Sequence, residues 1–181
     1  MAPLGFARLS GRQYDRMIEA GVLGPDDKVE LLHGMLVEMS PQGPEHAALV
    51  SILAQKLAIA VGARAIVRSH SPLSLADHSR PEPDVALVAP GEYRQRHPAT
   101  ALLVIEVADS SAGKDRKIKS RLYAAAGIAE YWIVDVSART VDVLREPGAK
   151  GYASIATLRA GDLLQPQAFP DVTIAVAEVF K

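Results

Sequence analysis

Asp84 opens one short apolar run of this chain, Val85 to Val88, and Glu106 lies at the close of another, Ala101 to Val107. Both runs are rich in Val, Leu and Ile and are bounded by Pro and Gly, the pattern of buried strands. Antiparallel pairing across the polar loop between them would set the start of one beside the finish of the other and bring the two carboxylates together. Acids meeting at the rim of a hydrophobic sheet repel one another. A divalent cation relieves that repulsion, and oxygen ligands of this kind suit magnesium or manganese.

The rest of the chain must supply the frame. Ser10 and Gln13 form a capping-box pattern ahead of Tyr14, Met17 and Ile18, which predicts a helix from Gly11 to about Ala20, stopped by Gly21. From Lys28 to Met39 apolar positions alternate on either side of His33-Gly34, predicting a β-hairpin with Glu30 and Glu38 on its arms. After the loop Ser40 to Pro44, the run His46 to Val61 is nearly all apolar and reads as a largely buried helix ended by Gly62. Ala65 to Ser69 predicts a strand and Ser71 to Leu75 a further extended piece.

Beyond the two acid-bearing runs, Asp115 to Ala126 carries Ile118, Leu122, Ala125 and Ala126 along one predicted helix face, with Gly127 as its stop. A crossover through this helix would lay the next strand, Tyr131 to Val136, parallel to the one ending near Glu106. Thr140 to Leu144 alternates as an outer strand should, and Val172 to Val176 reads as a last strand, with Leu163 and Phe180 as anchors. No repeat, low-complexity tract or linker divides the sequence, so residues 1 to 181 are expected to form one domain.

Composition narrows the function classes. The 181 residues are 49% hydrophobic and 23% charged, with no cysteine, which excludes a disulfide framework or a thiolate zinc site and is compatible with a reducing cytosol. No signal peptide and no run long and pure enough to span a bilayer is read from the sequence, so a cytoplasmic protein without a membrane partner is expected. A net charge of −1 means that any nucleic-acid binding must rely on a local basic patch.

The order helix, strand, antiparallel hairpin bearing Asp then Glu, helix, strand resembles the core of the PD-(D/E)XK nuclease superfamily, with Pro83-Asp84 and Glu106 at the motif positions. The strings VELLHGMLVEMSPQGPEH, IEVADSSAGKDRKIKSRLYAAAGIAEYWIVD and GDLLQPQAFPDVTIAVAEVF resemble, over nearly the whole chain, the Uma two family of restriction-endonuclease type. The resemblance implies an α/β fold with a mixed sheet: a restriction-endonuclease-like core, an N-terminal helix and hairpin, and added C-terminal strands. It implies a phosphodiesterase in which Asp84 and Glu106 hold Mg²⁺ and the ion activates a water for in-line attack, with DNA as the expected substrate. The superfamily's usual lysine, two residues after the second acid, is Ala108 here; the family's lysine lies in the following helix, where Lys119 is the matching position. Glu30 matches the glutamate that completes the acidic cluster, and His46 is a further candidate at the start of the apolar helix. Folds of this kind often act as dimers, so a homodimer is expected.

Plainer roles stand beside these. Lys119 is four residues after Asp115 and could form a solvated helix pair. Asp84 could shape a strand entry. Glu30 and Glu38 could face solvent, and His46 could be a polar helix start. Tyr123, Tyr131 and Trp132 sit in apolar runs and read as packing residues. Glu106 follows LLVI and is expected to be partly buried, so it needs a partner. Lys114, Arg116, Lys117, Lys119 and Arg121, with Arg94, Arg96 and His97, could form a positive rim for phosphates. Ala108 motivates an alternative function: an inactive nuclease-fold protein serving as a nucleic-acid-binding or oligomeric interaction module.

Overall fold

A computed structural model describes residues 7–108 and 113–181, and only the backbone of 113–116. The expectations placed on the side chains of Lys114, Asp115 and Arg116 therefore lie outside the described residues. Helix α1, Gly11–Glu19, begins with the capping box read from the sequence: Gln13 N donates to Ser10 Oγ at 3.2 Å and Ser10 N to Gln13 Oε1 at 2.8 Å. Its buried Tyr14 donates to the Val29 carbonyl at 3.0 Å, fastening the helix to strand β1, Val29–Leu32. β1 pairs antiparallel with β2, Met35–Glu38, through a two-residue turn in which His33 has φ 50° and Gly34 φ 81°, the left-handed pair a tight hairpin requires.

Helix α2, Pro44–Val61, starts two residues earlier than expected, so His46 sits inside its first turn. Only one face is covered, by Leu49, Val50, Leu53, Leu57 and Val61; Ala47, Ala48, Ser51, Gln55 and Ile59 are exposed, which corrects the largely buried helix of the sequence reading. The stretch Pro44–Arg64 also has the length and apolar composition, with a mean hydropathy of 1.5, that a membrane span requires, so the expectation that no run qualifies does not hold on composition.

Six strands form the central sheet: β3 (Ile66–Ser69), β4 (Val85–Val88), β5 (Leu103–Ala108), β6 (Glu130–Asp135), β7 (Thr140–Gly148) and β8 (Gly151–Leu158), in that spatial order. All neighbours are antiparallel except β5 and β6, which run parallel because helix α3, Gly113–Ala125, connects them. The fold is thus the mixed α/β sheet expected. Ser71 to Leu75 contributes no strand beyond an isolated bridge from Leu75 to Ser79. Thr140 to Leu144 is not outermost: its strand continues to Gly148 and is covered by β8. β8 escaped the sequence because an edge strand with no fully buried residue needs no apolar alternation. Near the C-terminus β9 (Leu163–Leu164) pairs with β10 (Ile174–Ala175), shorter than the expected strand Val172 to Val176, and helix α4 (Val176–Val179) takes over at the last of those residues. Leu164 and Phe180 are the anchors, whereas Leu163 is exposed.

The sheet divides the core. On one face Leu53 and Leu57 of α2 pack with Val85, Leu87, Ile105, Val107 and Trp132, and with Phe169, Val176 and Phe180 from the C-terminal segment. On the other, Ala86, Val88, Val104, Tyr131 and Ile133 pack with Tyr123 and Ile128. Burying each large apolar side chain contributes roughly 1.5–3 kcal/mol. Among the described side chains of α3 the buried ones are Leu122, Tyr123 and Ala124, while Ile118 is 42% exposed and not part of the inward face expected of it.

Candidate active site

β4 and β5 pair with Val85 opposite Ile105 and Ala86 opposite Val104, so Asp84 and Glu106, one step further along each chain, stand across from each other. Alternation along both strands gives Asp84 and Glu106 the same parity as Ala86 and Val104, which belong to the α3 side of the sheet. Both acids are buried. Asp84 Oδ2 accepts the Val107 amide at 2.7 Å, a bond that ties the carboxylate to the neighbouring strand. Its other oxygen, Oδ1, accepts from Gln42 Nε2 at 3.2 Å and lies 3.0 Å from His46 Nε2 and 3.6 Å from His70 Nδ1.

Glu106 Oε1 accepts from Lys119 Nζ at 3.0 Å and from the Tyr123 hydroxyl at 2.8 Å. Lys119 and Tyr123 are one turn apart on α3, which is why both reach the same oxygen. Lys119 Nζ also lies 3.0 Å from Glu30 Oε1, and the other Glu30 oxygen accepts the Glu82 amide at 3.0 Å. Glu30 arrives from β1 because Leu31 and Arg80 form an antiparallel bridge that docks the hairpin beside the segment leading to Asp84.

One ammonium serves two buried carboxylates and compensates only one of them. Lys119 loses solvation by burial, but Glu106 and Glu30 outweigh that loss and hold its pKa above the usual lysine value. Burial pushes the Glu106 carboxyl up to about 7, with Asp84 and Glu30 adding to the shift and Lys119 and the Tyr123 hydrogen bond opposing it. Burial, and then Glu106, raise the Tyr123 hydroxyl well above its usual range, so it stays a donor. Asp84, Glu106 and Glu30 thus outnumber the single lysine of the cluster.

Among the described residues no group of three or more His, Asp or Glu side chains is arranged to hold a metal ion. A cation here would rest on Asp84 and Glu106 and complete its sphere with water, which suits Mg²⁺ better than an ion that demands a full protein cage. Carboxylate oxygens are the hard donors that such an ion takes.

A family model described as "Putative restriction endonuclease", Uma2, matches residues 12–177. The chain belongs to the Uma2 family. No curated protein matches the sequence. A solved structure described as a putative nuclease belonging to DUF820, from Anabaena variabilis ATCC 29413, has the same fold: TM-score 0.69 at 17% identity, covering 90% of this chain and 95% of that one.

In this Uma2 chain Asp84, Glu106, Lys119, Glu30 and His46 all fall within one cluster, whereas Glu38 is exposed on β2. Lys119 does not point into solvent; its side chain is 14% exposed and held by two glutamates. Tyr123 is the packing residue expected, fully buried, but its hydroxyl also orients Glu106. Gln42, His70 and Glu82 were missed. Gln42 sits in an aperiodic loop and carried no signal. His70 follows β3, whose Ser69 pairs with Val85, so that register alone would have set His70 beside Asp84. Glu82, two residues before Asp84, has its carboxyl raised by partial burial, with His70 opposing and Glu30 adding. The expected positive rim is split. Arg94 and Arg96 line one open hollow with Glu92, Lys117 and Arg121 line another, and burial, with Arg68 nearby, lowers the His97 pKa and favours its neutral form.

Proposed function

We propose that this Uma2 protein is a Mg²⁺- or Mn²⁺-dependent endonuclease that hydrolyses phosphodiester bonds in DNA. The observation that carries the reading is the register that puts Asp84 opposite Glu106 with the Lys119 ammonium on the second acid. A divalent ion on the two carboxylates would supply charge neutralisation and a water of lowered pKa for attack on phosphorus. The chain's own groups supply the rest. The Val107 amide fixes the rotamer of Asp84, and the Tyr123 hydroxyl fixes Glu106. Lys119, kept protonated by its two glutamates, offers a cation to the phosphate oxygens as negative charge grows on them. Glu30 holds that cation in place. His46 holds Asp84 from the α2 side.

The alternative, a binding module without hydrolysis, was motivated by Ala108 at the usual lysine position; an ammonium delivered to Glu106 from α3 weakens that motive. Cleavage of both strands of a duplex calls for two such centres, so we expect the active species to be a homodimer, to be checked by sedimentation. Isothermal calorimetry with Mg²⁺ and Mn²⁺ tests the site: binding should be lost in Asp84→Ala. Nicking of supercoiled plasmid should require the metal and vanish in Glu106→Ala; cleavage that survives in that variant, or metal binding indifferent to Asp84, overturns the reading.

A further inference from the structure

The two flanks of α3 differ in purpose. Lys119 and Tyr123 face the acids. Lys117 and Arg121 each stand two residues from Lys119, about 160° round the helix axis, and face the other way. There they wall an open groove of about 280 Å³ between α3 and the β7–β8 hairpin, which Lys150, from the hairpin turn, closes with a third cation. Among the described residues one carboxylate lines the groove, Asp142, and it already accepts the Thr157 hydroxyl at 2.6 Å. Between the cations Ile155 is 63% exposed, and Tyr152, whose hydroxyl donates to the Ile128 carbonyl at 2.9 Å, also lines the groove. A plainly solvated charged face would not combine cations from two separate elements with an uncovered apolar floor.

We infer that this groove is a second nucleic-acid subsite, which holds the strand beyond the scissile phosphate. Lys117, Arg121 and Lys150 take backbone phosphates, and an unstacked base or sugar rests on Ile155 and Tyr152. The occupant is a polynucleotide, because spaced cations around an apolar floor match alternating phosphates and bases. A strand leaving the acid cluster reaches it by crossing the width of α3, about 10–12 Å. The inference rests on the nucleic-acid reading proposed above but not on hydrolysis.

The test is fluorescence anisotropy of a labelled single-stranded DNA 20-mer against the whole protein across a salt series, for wild type and the triple variant Lys117→Gln, Arg121→Gln, Lys150→Gln. All three residues are exposed, so folding should be untouched. The triple variant is expected to lose tenfold or more in affinity, and its log–log salt slope should fall by about 2, near 0.7 for each phosphate contact. Ile155→Ser should weaken binding and leave the slope alone, while Lys181→Gln, at the C-terminus, should change nothing. Unchanged affinity and slope in the triple variant overturns the subsite, even if wild type cleaves plasmid. Loss of binding in that variant, with no cleavage by wild type, upholds the subsite and sinks the hydrolytic reading alone.

Discussion

The Asp84 carboxylate accepts the Val107 amide at 2.7 Å, so the first acid of the site is clamped to the strand that carries the second. Sheet geometry therefore fixes the Asp84 carboxylate, while the Tyr123 hydroxyl and the Lys119 ammonium orient that of Glu106. Asp84→Ala leaves a buried amide unpaired and should cost about 1–3 kcal/mol, whereas Asp84→Asn keeps an oxygen acceptor and should cost less. Urea unfolding should show that order. In both variants saturating Mg²⁺ should no longer raise the melting temperature; in wild type, ion at a hundred times its dissociation constant should add about 2.7 kcal/mol.

Stability should also depend on pH through Glu106. Its carboxyl is near 7 in the folded protein against an ordinary value of 4.5, so between those limits the native state binds more protons than the unfolded one. Stability from this group is present at low pH and is lost as pH rises from about 4.5 through 7, by up to about 3 kcal/mol in the absence of metal. Glu106→Gln should flatten that part of the curve in chemical denaturation. An unchanged pH profile in this variant would remove the claim that Glu106 is the strained acid.

Lys119→Met would leave Glu30 and Glu106 buried without their shared cation. A loss of roughly 3–5 kcal/mol is expected above pH 7, shrinking at pH 5 where Glu106 takes up its proton. Lys119→Arg keeps the charge and should recover most of the stability. Equal destabilisation by both changes at both pH values would argue for lost packing instead.

A second buried acid makes the contrast. Glu130 is fully buried and accepts from Arg145, from Trp132 Nε1 at 3.0 Å and from the Gln167 amide at 2.6 Å, tying β6 to β7 and the C-terminal segment. Glu130→Gln should cost about 1–3 kcal/mol in denaturation and leave calorimetric Mg²⁺ binding intact. Loss of metal affinity in that variant would tie the ion to the wrong carboxylate.

The sequence laid out this frame where the physics is local. The capping box of Ser10 and Gln13, the His33-Gly34 turn, and the fully apolar runs around Asp84 and Glu106 each depend on neighbours a few residues away, and each is found where expected. Ile118 and β8 misled because exposure and edge position are decided by what lies across space. The same holds for α2, whose outer face is as apolar as a buried one yet uncovered.

Sequence alone thus determined most of the elements from α1 to β7, their order, and the two acids that border the central apolar runs, because strand and helix periodicity are written in consecutive side chains. Only the tertiary structure decided that Lys119 would be shared between Glu30 and Glu106, that Gln42, His46 and His70 would gather on one oxygen of Asp84, and that Glu106 would be pushed toward neutrality. Those outcomes depend on strand register and on the angle at which α3 crosses the sheet, quantities fixed by packing between segments that lie far apart in the chain.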